Sequence, residues 1–214
     1  MFPDRLREGY RAFRGGRFPD ERSRYETLAR TGQRPEIVVI GCIDSRVSPE
    51  AIFDAAPGEL LVVRNVANLV PPYASDRDSP LSTSAALEFA VQALRVRHVV
   101  VLGHAFCGGI EAFANDRAPL SPGDFIGKWM SLVTPAASAI GPRGDDDRDY
   151  LRRLELAGIE QSLKNLMSFP WIRARVERSE LELHGAYFGV ATGRLLVRDA
   201  ATGRFEPMGG EGDD

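Results

Sequence analysis

A chain of 214 residues with 43% apolar side chains can fill one sizeable core, and its formal net charge of -3, with Lys and Arg spread evenly, offers nucleic acid no basic stripe. No apolar run reaches the ~18 residues of a membrane span, and the opening MFPDRLREGYRAFRGGRF lacks the apolar stretch of a secretory signal. Asp4, Glu8, Asp20 and Glu21 interrupt an Arg-rich start that a transit peptide would keep poor in acid, so a cytoplasmic protein with no membrane or nucleic-acid partner is expected.

In chain order, residues 1–34 read as a helical arm. Leu6, Tyr10, Phe13, Phe18, Tyr25 and Leu28 have the loose spacing of amphipathic helices, broken at Gly15-Gly16 and at Pro19. The arm has no core of its own and is expected to pack on the main body or on a neighbouring subunit. Residues 35–200 form the body. EIVVIGC (Glu36 to Cys42), ELLVVRN (Glu59 to Asn65) and RHVVVLGH (Arg97 to His104) are continuous runs rich in β-branched residues, the pattern of parallel strands buried on both faces. Between the second and third runs, Leu87, Val91 and Leu94 share one helical face, with Ser79-Pro80 as cap and first turn, which predicts a crossover helix. CGGIEAFAND opens another helix, and the stretches Pro122 to Ile140 and Asp147 to Met167 are mostly helical. Glu180 to Val190 alternates like a strand, and GRLLVRD can pair with it around Thr192-Gly193. Residues 201–214 are polar and Gly-rich and are expected to fray at their end. The sum is a single α/β domain with a central, mainly parallel sheet flanked by helices.

Two cysteines are too few for a disulfide framework, so Cys42 and Cys107 are free thiols, open to metal binding or catalysis or simply buried as small apolar groups. Their positions favour chemistry. Cys42 ends the first strand, His104 ends the third, and Cys107 follows at the start of a helix, whose dipole favours a thiolate. In open parallel sheets such strand ends converge on one crevice. A Cys2His set leaves a four-coordinate zinc ion one open position, the mark of a catalytic site; a structural site needs a fourth ligand, which Asp44 could supply. Asp44 and Arg46 are two apart and point the same way in extended chain, so the guanidinium can hold the carboxylate by two parallel hydrogen bonds. Held so, Asp44 stays ionised and can take a proton from water; released, it can swing onto the metal. The plain alternative is a surface ion pair worth little. Gly108 and Gly109 let backbone N–H groups come close to a thiolate or a small anion. His98 and His184 read as structural or surface groups, since neither shares the crevice with an obvious partner.

The pattern Cys42-x-Asp44-Ser45-Arg46 followed by His104-x-x-Cys107-Gly108-Gly109 resembles the β-class carbonic anhydrases. The likeness extends through Arg64-Asn65-Val66-Ala67-Asn68 and Leu87-Glu88-Phe89-Ala90-Val91 to His184-Gly185, roughly residues 25 to 200. It implies an α/β fold, homodimers that pair into tetramers, and one Zn2+ per chain on Cys42, His104 and Cys107. It further implies Asp44 with Arg46 as the catalytic dyad, and reversible hydration of CO2 to bicarbonate and a proton. By the same resemblance Gln33 donates its amide to substrate, while Leu61, Val66 and Phe89 line the pocket beside Gly108 and Gly109. An apolar wall suits uncharged CO2, although Phe89 could equally be an ordinary helix aromatic. A catalytic zinc brings bound water from a pKa of about 15.7 to about 7; two thiolates oppose this, so activity is expected to rise with pH somewhat above that value.

Some bacterial members bind bicarbonate away from the zinc with a Trp, Arg and Tyr set that closes the site. Here Val39 and Phe188 stand at the Trp and Tyr positions and only Arg64 remains, which implies an open site; Tyr187 is the other possible counterpart of the Tyr. Two rivals share the motif: relatives that use the same triad on CS2 or COS, and a non-catalytic zinc protein closed by Asp44. Intact Gln33, Asp44, Arg46, Gly108 and Gly109 weigh against the second.

Overall fold

The computed structural model describes residues 1–74, 82–116 and 125–209. Two helices open the chain. α1 (Asp4–Gly15) carries an acid in its first turn and Arg14 in its last, which complements the helix dipole. Gly16 separates it from α2 (Arg17–Thr31). The break falls at Gly16 alone and not at Pro19 as well, because Pro19 is the third helical residue, where an N–H has no intrahelical partner to lose. Neither helix buries a residue. Phe13, Phe18 and Tyr25 cluster across the break with centroids 5.5 to 6.2 Å apart. Arg24 ties α2 to the body, donating to Pro57 O at 2.6 Å and to Glu59 at 3.0 Å. Leu6 and Tyr10 remain 55% and 63% exposed, an apolar stripe without cover in the single chain.

The body is built on β1 (Ile37–Cys42), β2 (Leu60–Asn65), β3 (His98–His104), β4 (Glu182–Phe188), β5 (Leu195–Arg198) and β6 (Phe205–Pro207). Their order across the sheet is β2-β1-β3-β4-β5-β6; the first four are parallel and the last two antiparallel. Each of the three apolar runs becomes a parallel strand beginning one residue later than the run itself. The order reverses at β1, with β2 on one side and β3 on the other, so the carboxyl ends of β1 and β3 flank the point where successive loops part.

The helices of the body are α3 (Pro49–Ile52), α4 (Ser82–Glu88), α5 (Gly108–Ala114), α6 (Phe125–Met130), α7 (Thr134–Ile140), α8 (Asp147–Leu166) and α9 (Pro170–Glu177). Val38, Ile40, Val99 and Val101 face one way and pack with Leu87, Val91, Ile159, Leu166, Phe169 and Ile172. Each such side chain contributes about 1.5–3 kcal/mol by its burial. A Cβ on Gly103 would lie 2.7 Å from Ile159, so the glycine lets α8 press on β3 immediately before His104. The other face carries a smaller buried set, Val39, Leu102 and Ala186. Beside it runs a groove of about 560 Å³ lined by Arg34, Ile37, Phe53, Leu60 and Val100. β2 is only partly buried, short of the two-sided burial its apolar run predicts, because it is the edge strand with one neighbour.

The crossover helix departs from a regular spacing. After Glu88 it widens into a π turn over Phe89–Ala93, and Arg95 at φ 58° leads into β3. The cap at Ser79-Pro80 lies outside the described residues, as do Pro122 to Asp124. α8 starts where the sequence places it, with Asp146 accepting from the N–H of Arg148 and Asp149. α9, unforeseen in the sequence, starts at Pro170 in its first turn. The hairpin of β4 and β5 turns through Gly193 at φ 71°. Within residues 201–214, Phe205–Pro207 pairs with β5 because Asp199 caps the turn at Thr202 and Phe205 reaches the core.

Candidate metal centre

Cys42 is the last residue of β1, His104 the last of β3, and Cys107 caps the start of α5. Parallel pairing of Gly41 with Leu102 sets the two strand ends level. Phe106 turns the chain back with φ 61°, a left-handed conformation that costs a non-glycine residue about 1–3 kcal/mol and returns Cys107 toward His104. The ligand atoms of Cys42, His104 and Cys107 then lie within 4.8 Å of one another, and all three residues are buried.

The donor chemistry of this cluster fits a soft divalent ion. His104 Nδ1 donates to Ala105 O at 2.9 Å; a carbonyl can only accept, so the neutral ring keeps its free lone pair on Nε2. That Nε2 is buried and has no hydrogen-bond partner, which costs about 1–3 kcal/mol unless a ligand meets it. The hydrogen bond between the two sulfurs lowers the pKa of Cys42. Cys107 is pushed up by the hydrogen bond to Cys42 and by burial. Left to themselves the two sulfurs share one proton; a divalent cation accepts both as thiolates. Two thiolates and one imidazole are a zinc-type donor set with one position left over.

Asp44 lies outside this set. Its Oδ1 accepts from the Arg46 N–H and Nε at 2.9 Å each, and its Oδ2 accepts from Arg46 Nη2 at 2.7 Å. The guanidinium therefore holds the carboxyl below the usual carboxylate range. Arg46 Nη2 also donates to Phe106 O at 3.0 Å, tying the pair to the turn before Cys107. Arg64 secures the backbone from behind, with Nε on Cys42 O at 3.0 Å and Nη2 on Asp44 O at 2.6 Å.

One buried group at the site escapes sequence reasoning. Glu155 of α8 is 4% exposed; its Oε1 accepts from Cys107 N–H at 3.1 Å and its Oε2 from Tyr187 OH at 2.6 Å. It therefore fixes the backbone of a candidate ligand. The available signal is its place on the stripe Leu151, Leu154, Gly158, Ile159 and Ser162, where an acid interrupts the buried side of the helix.

The remaining predicted residues divide into two groups. Val66 and Gly109 join the site: a Cβ on Gly109 would press Val66 at 3.0 Å and Ala67 at 3.4 Å. A Cβ on Gly108 would meet nothing within 4 Å among the described residues. Gln33 and Leu61 lie away from the triad of their own chain. Gln33 is exposed before the amino end of β1, and the strand separates that end from Cys42 by about 17 Å. Leu61 pairs with Val38, about 13 Å along β2 from Asn65, the register partner of Cys42. Phe89 is 53% exposed.

A mainly parallel α/β sheet carries at its switch point, beside an Arg-held carboxylate, a buried Cys2His cluster that could hold a metal ion. The carbonic anhydrase family profile matches residues 37–195. Beta carbonic anhydrase 5, chloroplastic, of Arabidopsis thaliana is 37% identical over 188 residues, 86% of this chain and 61% of that protein, so the chain spans about three fifths of that relative's length. The β-carbonic anhydrase CcaA superposes with a TM-score of 0.82 at 31% identity, over 97% of this chain and 92% of that one. A tetrameric β-carbonic anhydrase of Sordaria macrospora gives 0.75 at 30% identity, over 90% and 94%. The chain belongs to the β-carbonic anhydrase family. Among the described residues no helix is long and apolar enough to cross a membrane.

Proposed function

We propose that this protein catalyses the reversible hydration of CO2 to bicarbonate and a proton, with one zinc ion on Cys42, His104 and Cys107. The observation that carries this reading is the buried three-donor cluster with Asp44 held outside it by Arg46, which leaves one coordination position free. Zinc bound there supplies a Lewis acid that makes water nucleophilic near neutral pH. Asp44 does the orienting. Oδ1 spends both lone pairs on Arg46, but Oδ2 accepts only from Nη2 and keeps a second lone pair, so Asp44 accepts a hydrogen bond from the attacking water through Oδ2 and aims its oxygen at CO2. Arg46 keeps that acceptor ionised, and Arg64 fixes the backbone carbonyl that precedes it. Val66 supplies apolar surface, and the space at Gly108 admits the bicarbonate anion.

Two further features support an open site. Phe188 packs on the face that holds Val39, while Tyr187 points the other way and spends its hydroxyl on Glu155. Neither offers a phenol toward Arg64, whose guanidinium is engaged by Cys42 and Asp44. The chain also acts as a homodimer that pairs into a tetramer. The uncovered stripe of α1 and the partly buried β2 call for a second copy, and the Sordaria macrospora relative is tetrameric. In that assembly Gln33 and Leu61, out of reach of their own triad, line the pocket of a neighbour, and the exposed Phe89 joins them there.

Stopped-flow hydration of CO2 on zinc-loaded protein tests the reading. Turnover is expected to vanish on chelation and to return with one equivalent of zinc. Zinc-loaded protein inert toward CO2, or faster on COS or CS2, contradicts it.

A further inference from the structure

A second set of ligating side chains sits far from the first. His98 opens β3 and is paired in register with Glu182 of β4, two residues before His184. Residues two apart on a strand share a face, so the three side chains meet. His98 Nδ1 lies 3.2 Å from His184 Nε2. Glu182 Oε2 lies 3.8 Å from that Nδ1 and 3.7 Å from that Nε2. Along β3 the cluster is about 20 Å from His104.

We propose that His98, Glu182 and His184 form a second binding site for a divalent transition ion, zinc above all, independent of the catalytic centre and clamping β3 to β4. Ligands at about 2.0–2.1 Å around a tetrahedral ion stand about 3.3–3.4 Å apart. The three edges found here, 3.2, 3.7 and 3.8 Å, fall within half an ångström of that, and the carboxylate is 65% exposed and free to close the difference. The simpler account is a hydrogen bond between two neutral imidazoles, whose centroids are 5.3 Å apart. It leaves Glu182 unexplained: one carboxylate oxygen stands nearly equidistant from both nitrogens and beyond hydrogen-bond length of either. A third vertex of a metal site has that placement. Burial and the neighbouring His98 also lower the His184 pKa, which favours the neutral ring that binds metal. Two imidazoles and a carboxylate suit zinc, copper, nickel or iron(II) better than calcium or magnesium, and the half-exposed setting leaves room for water to complete the shell.

The test uses the untagged full chain loaded with one equivalent of zinc and then titrated calorimetrically with more. Wild type is expected to bind a second, weaker equivalent. His184→Gln and Glu182→Ala should weaken that step by more than the ~100-fold that losing a mere outer partner costs at most, with CO2 hydration and the first equivalent unchanged. Cobalt as the second ion should add no thiolate charge-transfer absorption. Glu182→Ala touches an exposed side chain and keeps the test open if His184→Gln fails to fold. A wild-type chain that stops at one equivalent, or variants that keep the second at wild-type affinity, overturns the proposal. Because the two equivalents are counted separately, the second site can fail while the first stands.

Discussion

His104→Ala is expected to leave the chain without zinc and without CO2 hydration, a loss of the entire catalysed acceleration, on the order of 10⁶-fold or more. The imidazole is the only nitrogen in the triad, and two sulfurs alone do not hold the ion in the geometry that leaves one position for water. His104 is 1% exposed, so truncation also opens a cavity, at a cost of roughly 2–5 kcal/mol. Circular dichroism therefore accompanies the assay. Cys107→Ser, nearly isosteric, serves as the second variant; it keeps the packing and the Glu155 contact to the backbone but removes a thiolate. Metal content after dialysis and stopped-flow rates check both. Either variant holding stoichiometric zinc at full turnover contradicts the ligand assignment.

Asp44→Asn is expected to keep its zinc and lose about 10²- to 10⁴-fold in turnover, the range of a positioned acid–base group. The carboxylate accepts three hydrogen bonds from Arg46, and an amide NH2 in place of one oxygen sets donor against donor. The Arg46 link to Phe106 O then loosens, and the acceptor that orients water is gone. Arg46 lowers the Asp44 pKa from 3.8, so the group is ionised across the neutral range. Its contribution to stability is present above the unfolded-state value and lost only as pH falls through the lowered one. The wild-type activity profile consequently shows no Asp44 limb near neutrality. Wild-type turnover in Asp44→Asn, with zinc retained, would remove Asp44 from the mechanism.

The triad was legible because it rides on strong local signals. β-branched runs mark β1 and β3, and a candidate ligand stands at the last position of each. The Asp44 and Arg46 pairing is equally local, two residues apart. What the sequence hides is long-range. Glu155 reaches Cys107 across 48 positions of chain, and among the many charges of α8 only its seat on the buried stripe distinguishes it. His98 and His184 stand 86 positions apart and pass as isolated groups until the register of β3 and β4 places them side by side. Gln33 and Leu61 look like neighbours of the triad in a motif comparison, yet strand length keeps them from it within one chain. The π turn after Glu88 and the pairing of β6 depend on packing that periodicity does not encode.

X-ray absorption at the zinc edge, on protein loaded with a single equivalent, tests the metal centre most directly. The account predicts two sulfurs at about 2.3 Å, one imidazole nitrogen at about 2.0–2.1 Å and one further light atom. A shell of nitrogen and oxygen alone, or one with a single sulfur, contradicts it.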